Sequence, residues 1–272
     1  MTAREALARH WPEYLIEAWG LGTFMVSAGI VATLLGSPRS PAEDLLISPL
    51  LRAALAGIAM GLTSVLLVYS PWGRRSGAHW NPALTLTFLR LGRMSRWDAF
   101  FFAVAQTVGG LLGVLLVAAL LGESFTEPPV RYAATLPGMS GPLVAFAAEL
   151  VISGVLMFVI LMFADRPALA SYTGIAAGCL VALYITFEAP LSGMSMNPAR
   201  TFASAAPGAH WESLWVYLSA PLLGMLASAQ LYSMLPFGRR AGCAKLMHSA
   251  NVRCIHCGYE PPRSHTLEAR RV

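Results

Sequence analysis

Charge is what this 272-residue chain has least of. Only 12% of its residues are charged, against about 25% in an ordinary soluble domain. In its place 56% are hydrophobic, and the mean hydropathy is +0.58. The balance is that of a membrane protein. Cysteine is scarce as well. There are four, and three of them, Cys243, Cys254 and Cys257, lie in the last thirty or so residues. Glycine-rich nucleotide-binding motifs are missing, and no Ser-His-Asp set is brought together by the apolar spans, so no enzyme is expected. No ring of acidic residues is present, which argues against a cation channel. The formal charge of +5 is weak evidence for nucleic-acid binding, because basic residues can instead mark the cytoplasmic face of a membrane. No cleavable signal peptide is expected, since the apolar stretch after Arg4, Arg9 and His10 is long enough to span and has no convincing cleavage site.

What is present is long apolar runs. About 20 residues of helix cross a bilayer core, and six stretches qualify: 12–35, 50–70, 98–121, 142–164, 169–189 and 212–235. Two segments of about ten residues, 81–91 and 197–206, are too short to cross and each begins at Asn-Pro-Ala. They read as re-entrant half-helices, tolerated at membrane depth only where they line a cavity or are buried in protein. Arg is concentrated in the amino-terminal tail, in Arg74–Arg96 and in the carboxyl-terminal tail, whereas Glu43, Asp44, Glu123 and Glu127 occupy other loops. The positive-inside rule therefore expects both termini in the cytoplasm, in the inner membrane of a cell. The expected organisation is a tail at 1–11, a channel domain at 12–236 with halves 12–121 and 142–235, and a tail at 237–272.

The two Asn-Pro-Ala copies are parts of a longer repeat. Ser76-Gly77-Ala78-His79-Trp80-Asn81-Pro82-Ala83-Leu84-Thr85 and Ser192-Gly193-Met194-Ser195-Met196-Asn197-Pro198-Ala199-Arg200-Thr201 match at six of ten positions, 116 residues apart. Three spans per half force the halves to run in opposite directions, which is an inverted repeat. Glu17 early in the first span is echoed by Glu149 early in the fourth. Asn favours the N-cap and Pro the first helical position, so each tripeptide starts a helix. Inverted symmetry points the two helix N-termini, each carrying about half a positive charge, at one spot near the bilayer midplane. Cations and hydronium are repelled there and neutral molecules are not. The Asn81 and Asn197 amides can donate to a passing oxygen.

Arg200 follows the second tripeptide, and Leu84 holds the corresponding place in the first half. A buried Arg at membrane depth is expected to face a water-filled lumen and repel cations. Glu17 and Glu149 are expected to accept from backbone N–H groups of the loops that lead into the half-helices. His79 either lines the inner vestibule or holds its loop, and Glu188 either ties down the loop carrying Met194 or pairs with Arg200.

Six spans, paired Asn-Pro-Ala half-helices, the following Arg and the two span glutamates resemble the aquaporin family, or major intrinsic proteins, of bacterial type. The resemblance covers about residues 12–236. It implies six transmembrane helices and two re-entrant half-helices around a central pore, a homotetramer in lipid with one pore per protomer, passive flow of water or small uncharged solutes, and no required cofactor. It also implies a four-residue filter, which falls here at Gly61 (or Met60), Ile185, Met194 and Arg200. Water-selective members place an aromatic residue and a His at the first two positions. This chain has neither, so its constriction is expected to be wider and more apolar, admitting water and such solutes as ammonia, urea or metalloid acids.

The composition changes after Arg240. Cys243, His248, Cys254 and Cys257 form C-x4-H-x5-C-x2-C, with His256 nearby. Thiolates and imidazole at such spacing suit tetrahedral zinc, while the other reading is a basic tail with incidental cysteines, disordered from Pro261 to Val272. A membrane-bound metal or redox sensor that works through this tail is the alternative function. Cys179, inside the fifth span, is expected to be a packing residue.

Overall fold

A computed structural model of the chain describes residues 1–42, 48–236, 242–248 and 251–261. Among the described residues every regular element is helical. The helices are α1 (Ala3–Gly36), α2 (Pro49–Tyr69), α3 (Pro71–Ser76), α4 (Pro82–Arg90), α5 (Arg96–Leu121), α6 (Glu123–Thr126), α7 (Pro142–Ala164), α8 (Thr173–Phe187), α9 (Ala189–Ser192), α10 (Pro198–Ala205) and α11 (Leu214–Met234). Six of them, α1, α2, α5, α7, α8 with its preceding turn, and α11, are long and apolar enough to span a membrane. Glu43 and Asp44, placed by the sequence in an acidic loop, and the final segment from Pro262 to Val272 lie outside the described residues.

Local chemistry explains most boundaries. Ser48, Ser70 and Ser95 cap α2, α3 and α5 through their side chains, and α2, α3, α4, α7, α9 and α10 carry Pro in the first turn, where a missing N–H costs nothing. Two boundaries differ from expectation. Residues 1–11, expected as a tail, are largely helical, because α1 begins at Ala3. Thr2 and Glu5 form a capping box there, with Thr2 N–H donating to Glu5 at 2.8 Å and Glu5 N–H donating to Thr2 at 3.3 Å. At about 1.5 Å per residue α1 exceeds the bilayer core, and its first turns are held by His10 and Tyr14 bonding Asp98 at 2.7 and 2.6 Å. The fifth span is shorter than expected. α8 stops at Phe187 because Glu188 and Pro190 open the separate turn of α9.

The two halves pack by the same scheme. α1 lies along α5, and its counterpart α7 lies along α11, while α2 and α8 meet each other across the centre. Glycine permits the closest approaches: a Cβ on Gly109 would sit 2.0 Å from Ala18 O, and one on Gly224 would sit 2.2 Å from Leu150 O. Each half-helix is lodged in the opposite half, with α4 packed on α11 and α10 on α5. Fully buried Tyr217, Tyr232, Phe88, Phe102, Phe125 and Met157 fill the interior. The outer surface carries Leu62, Leu66, Leu116, Leu120, Leu143 and Leu223 exposed, an apolar belt fitted to lipid or to another copy. Cys179, expected as a packing residue, is exposed on this surface.

Candidate functional site

The two Asn-Pro-Ala segments adopt nearly the same backbone. Asn81 has φ −150° and ψ 115°, and Asn197 has φ −146° and ψ 107°. Asn81 Oδ1 accepts from Ala83 N–H at 2.9 Å, and Asn197 Oδ1 accepts from Ala199 and Arg200 N–H at 3.1 and 3.2 Å. The side-chain amides then cross the dyad: Asn81 Nδ2 donates to Met196 O and Asn197 Nδ2 to Trp80 O, each at 2.7 Å. A primary amide has two N–H donors, so one clamps the opposite loop and one is left for the cavity.

The preceding loops repeat the same conformation. Gly77, Ala78 and Trp80 have positive φ, as do Gly193, Met194 and Met196 at the equivalent positions. Left-handed backbone costs non-glycine residues roughly 1–2 kcal/mol each, so something must hold these loops. Two fully buried carboxylates do. Glu17 accepts from His79 and Trp80 N–H at 3.2 and 2.7 Å and from Gln106 Nε2 at 2.8 Å. Glu149 accepts from Ser195 and Met196 N–H at 2.6 and 2.7 Å and from Ser192 Oγ at 3.0 Å. Ser76 and Ser192 each accept from the backbone N–H two residues on, at 3.2 and 3.0 Å.

Between these loops runs a cavity of about 430 Å³. Its lining includes Gly36, Arg52 and Ala133, then Met60, Ile185, Met194 and Arg200 of the expected filter or its neighbour, Asn81 and Asn197, and His79 and Leu246. Gly61 is not among the lining residues. A Cβ there would lie 2.6 Å from Gly178 O and 3.0 Å from the Ala182 side chain, so this glycine is the seam between α2 and α8. The neighbouring Met60 takes the position facing the cavity, because consecutive helical residues point about 100° apart. Arg200 donates through Nη1 to Thr135 Oγ1 and to Ser204 Oγ, the latter at 3.3 Å. Glu188 makes no ion pair with Arg200 among the described residues. Its carbonyl accepts from Leu191 N–H at 2.8 Å, and Tyr217 OH donates to Ser192 O at 2.6 Å to steady the same turn.

The carboxyl-terminal segment reaches back to this cavity. Leu246 N–H donates to Gly77 O at 3.1 Å, and His79 Nε2 bonds Ala244 O at 2.7 Å. A carbonyl only accepts, so His79 carries its proton on Nε2, and Nδ1 of the neutral ring accepts from Thr85 Oγ1 at 3.1 Å. His79 therefore both lines the cavity and holds its loop. His256 stacks on His79 with ring centroids 5.6 Å apart and bonds Ser76 O at 2.9 Å. Burial pushes the His256 imidazole down to about 4, which leaves it neutral near pH 7. In the same segment one ligand atom from each of Cys243, His248, Cys254 and Cys257 falls within 4.8 Å of all the others. Cys243 Sγ is 3.3 Å from Cys254 Sγ, and His248 Nε2 is 3.2 Å from Cys257 Sγ. The thiol contact from Cys243 draws Cys254 down toward the thiolate, and the same contact, with burial, pushes Cys243 up.

Three participants went unnoticed in the sequence. Gln106 was visible as a lone amide in an apolar span, the sort of residue that a membrane interior keeps for a reason. Thr135 and Leu246 gave no local signal, since each acts only through distant neighbours.

Known proteins bear a clear likeness to this arrangement. The family described as "Major intrinsic protein" matches residues 8–232. Aquaporin NIP1-2 of Arabidopsis thaliana is 33% identical over 224 residues, covering 80% of this chain and 72% of that protein. A probable NIP-type aquaporin of Nicotiana alata is 37% identical over 180 residues, 65% of this chain and 64% of that protein, so the chain spans less than two thirds of that relative. Nodulin-26 of Glycine max is 35% identical over 181 residues, covering 66% of this chain and 65% of its own. These relatives are plant proteins and lend the expected bacterial type no support. Among solved structures, the aquaglyceroporin from Plasmodium falciparum matches with a TM-score of 0.65 at 21% identity, over 83% of this chain and 96% of its own, which is a likeness of fold.

Proposed function

The chain belongs to the major intrinsic protein family, and from that membership we propose that it is a passive channel for water and small uncharged solutes. One observation carries the reading: two half-helix N-termini, each capped by Asn-Pro-Ala, meet across a single lined cavity. Their positive ends disfavour cations and hydronium at the point where a permeant must shed most of its water. A neutral molecule meets no such barrier and finds the spare Asn81 and Asn197 donors.

Met60, Ile185, Met194 and Arg200 form the filter in this reading. Three flexible or apolar side chains and one cation favour a solute with an uncharged body and an acceptor oxygen. Arg200 is oriented by Thr135 and Ser204, so its position does not depend on the permeant. Urea, ammonia and neutral metalloid acids fit this chemistry along with water. Both termini face the cytoplasm, consistent with Arg74, Arg75, Arg90, Arg93 and Arg96 on one side and Glu123 and Glu127 on the other. The chain works as a homotetramer, with the exposed leucine belt divided between lipid and neighbouring copies. Cys243, His248, Cys254 and Cys257 hold zinc in the tail, a soft, tetrahedral donor set for that ion. The sensor alternative is less favoured, since a degenerate pore would not need both buried carboxylates and both crossed amides.

Stopped-flow light scattering on proteoliposomes tests the channel. Osmotic shrinkage with an impermeant solute is compared with swelling in urea, glycerol and ammonium gradients. Permeability no greater than that of empty liposomes for every solute, from protein freed of its tail, would overturn the reading.

A further inference from the structure

We propose that the carboxyl-terminal segment is a zinc-dependent plug for the inner mouth of the pore. One zinc ion held by Cys243, His248, Cys254 and Cys257 keeps Ala244, Lys245 and Leu246 seated over the mouth, and loss of the ion releases them. The inference rests on the channel reading given above and adds its regulation.

The metal half of the argument is geometric. With Zn–S near 2.3 Å and Zn–N near 2.0 Å, the edges of a tetrahedral site are about 3.4–3.8 Å. The four donor atoms already lie within 4.8 Å of one another, with the Cys243–Cys254 edge at 3.3 Å and the His248–Cys257 edge at 3.2 Å. Cys254 and Cys257 are presented by a tight knuckle: Gly258 has φ +72° and donates to Cys254 O at 3.0 Å, and Cys254 N–H donates to Tyr259 O at 2.8 Å. Three thiolates around Zn²⁺ leave one net negative charge. Lys245 lies within electrostatic reach of Cys243, Cys254 and Cys257 and is buried at 2% exposure, a costly place for an ammonium without compensating partners.

The plug half is a set of contacts that all converge on one loop. Lys245 Nζ donates to Arg74 O and Arg253 O at 2.9 and 3.0 Å. Leu246, 4% exposed, lines the cavity and takes Gly77 O. Ala244 O holds His79, and His256 covers His79 and meets Phe102 edge-on at 5.7 Å. Arg253 reaches Arg9 O at 3.0 Å and Glu13 at 3.4 Å, where Arg75 also pairs at 3.0 Å. Ala78 and His79, at the start of the pore loop beneath these contacts, are 2% and 4% exposed.

Metal and plug are one object because their residues interleave. Ala244, Lys245 and Leu246 lie between Cys243 and His248, and Arg253 and His256 flank Cys254. A segment this short cannot bury a core of its own, and below about 40 residues a metal or cross-link usually supplies the missing stability. Zinc binding is therefore what fixes the docking residues in register.

The test uses the full-length chain purified in detergent and reconstituted. Zinc is measured by mass spectrometry, and water permeability is measured before chelation, after a membrane-permeant chelator and after zinc is restored. Three variants accompany it: Cys254→Ser with Cys257→Ser, Lys245→Glu with Arg253→Glu, and a chain ending at Pro236. The expected results are one zinc per wild-type chain and a roughly tenfold rise in permeability on chelation that zinc reverses. The cysteine variant and the shortened chain should be open and unresponsive to zinc. The docking variant should keep its zinc and still be open, which separates gating from metal loss. Equal, high permeability for wild type and shortened chain would overturn the plug and leave the channel intact. No permeability in either would overturn the channel reading and the plug with it. A shortened chain that opens while the wild type binds no zinc, or ignores chelator, would overturn metal control.

Discussion

The first and second halves share a backbone so closely that their differences stand out. Glu17 and Glu149 clamp equivalent N–H pairs, and Asn81 and Asn197 reach across to equivalent carbonyls. The ten-residue repeat differs at four positions, and two of them set the charge and polarity of the pore mouths. Leu84 in the first half is Arg200 in the second, and His79 is Ser195. The second half thus places a cation at its mouth, held by Thr135. The first half places an imidazole there, held by the carboxyl-terminal segment. In the proposed channel the duplicated scaffold is the barrier to ions, and the unpaired substitutions are what is particular to each end. Symmetry singles out the residues that hold the two loops around the cavity, and departures from symmetry single out the candidates for tuning it.

The strongest way to test the shared part is to remove either carboxylate. Glu17→Ala and Glu149→Ala each strand three donors, at about 1–3 kcal/mol per unsatisfied group. Both should lower thermal stability in detergent severely and to a similar degree. A large effect in one half alone would break the equivalence. Next is the charge difference. Arg200→Leu makes the second mouth resemble the first, and proton leak into liposomes loaded with a pH-sensitive dye should rise roughly tenfold, with neutral flux kept or increased. An unchanged leak would mean that the half-helix ends exclude protons unaided.

Neighbouring residues on α2 allow a finer separation. Gly61→Ala should destabilise the α2–α8 seam by about 1–3 kcal/mol, as overpacking does. Met60→Trp should leave stability nearly unchanged and reduce urea flux relative to water. The reverse pattern would return Gly61 to the filter. The smallest effect is expected for Gln106→Leu, which removes the Nε2 hydrogen bonds to Glu17 and Thr85, both in the first half. A loss of about 1 kcal/mol in unfolding free energy is expected, with permeability unaltered.

Residues whose meaning is local were legible before any coordinates. Asn-Pro-Ala announces a helix start through its own cap and its own proline, and α4 and α10 begin where expected, at Pro82 and Pro198. Spans were legible because a run of apolar residues is a property of the run. The cavity-facing position on α2 was less so. α2 is apolar all round, and a shift of one residue turns a side chain from the cavity to the neighbouring helix, so Met60 and Gly61 could not be separated by pattern. Hydropathy marks where a membrane begins, whereas a helix begins at its cap, here Thr2, so α1 starts before the expected span.

By itself the sequence determined that this chain is a membrane protein built from two inverted halves, with helix starts buried at its centre, because hydropathy, caps and repeats are written in neighbouring residues. Only the tertiary structure decided which face of α2 meets the cavity, which hydroxyl orients Arg200, and that a segment some 165 residues beyond His79 returns to cover it. Those depend on contacts between residues far apart in the chain, whose pairing is set by packing and by no local rule.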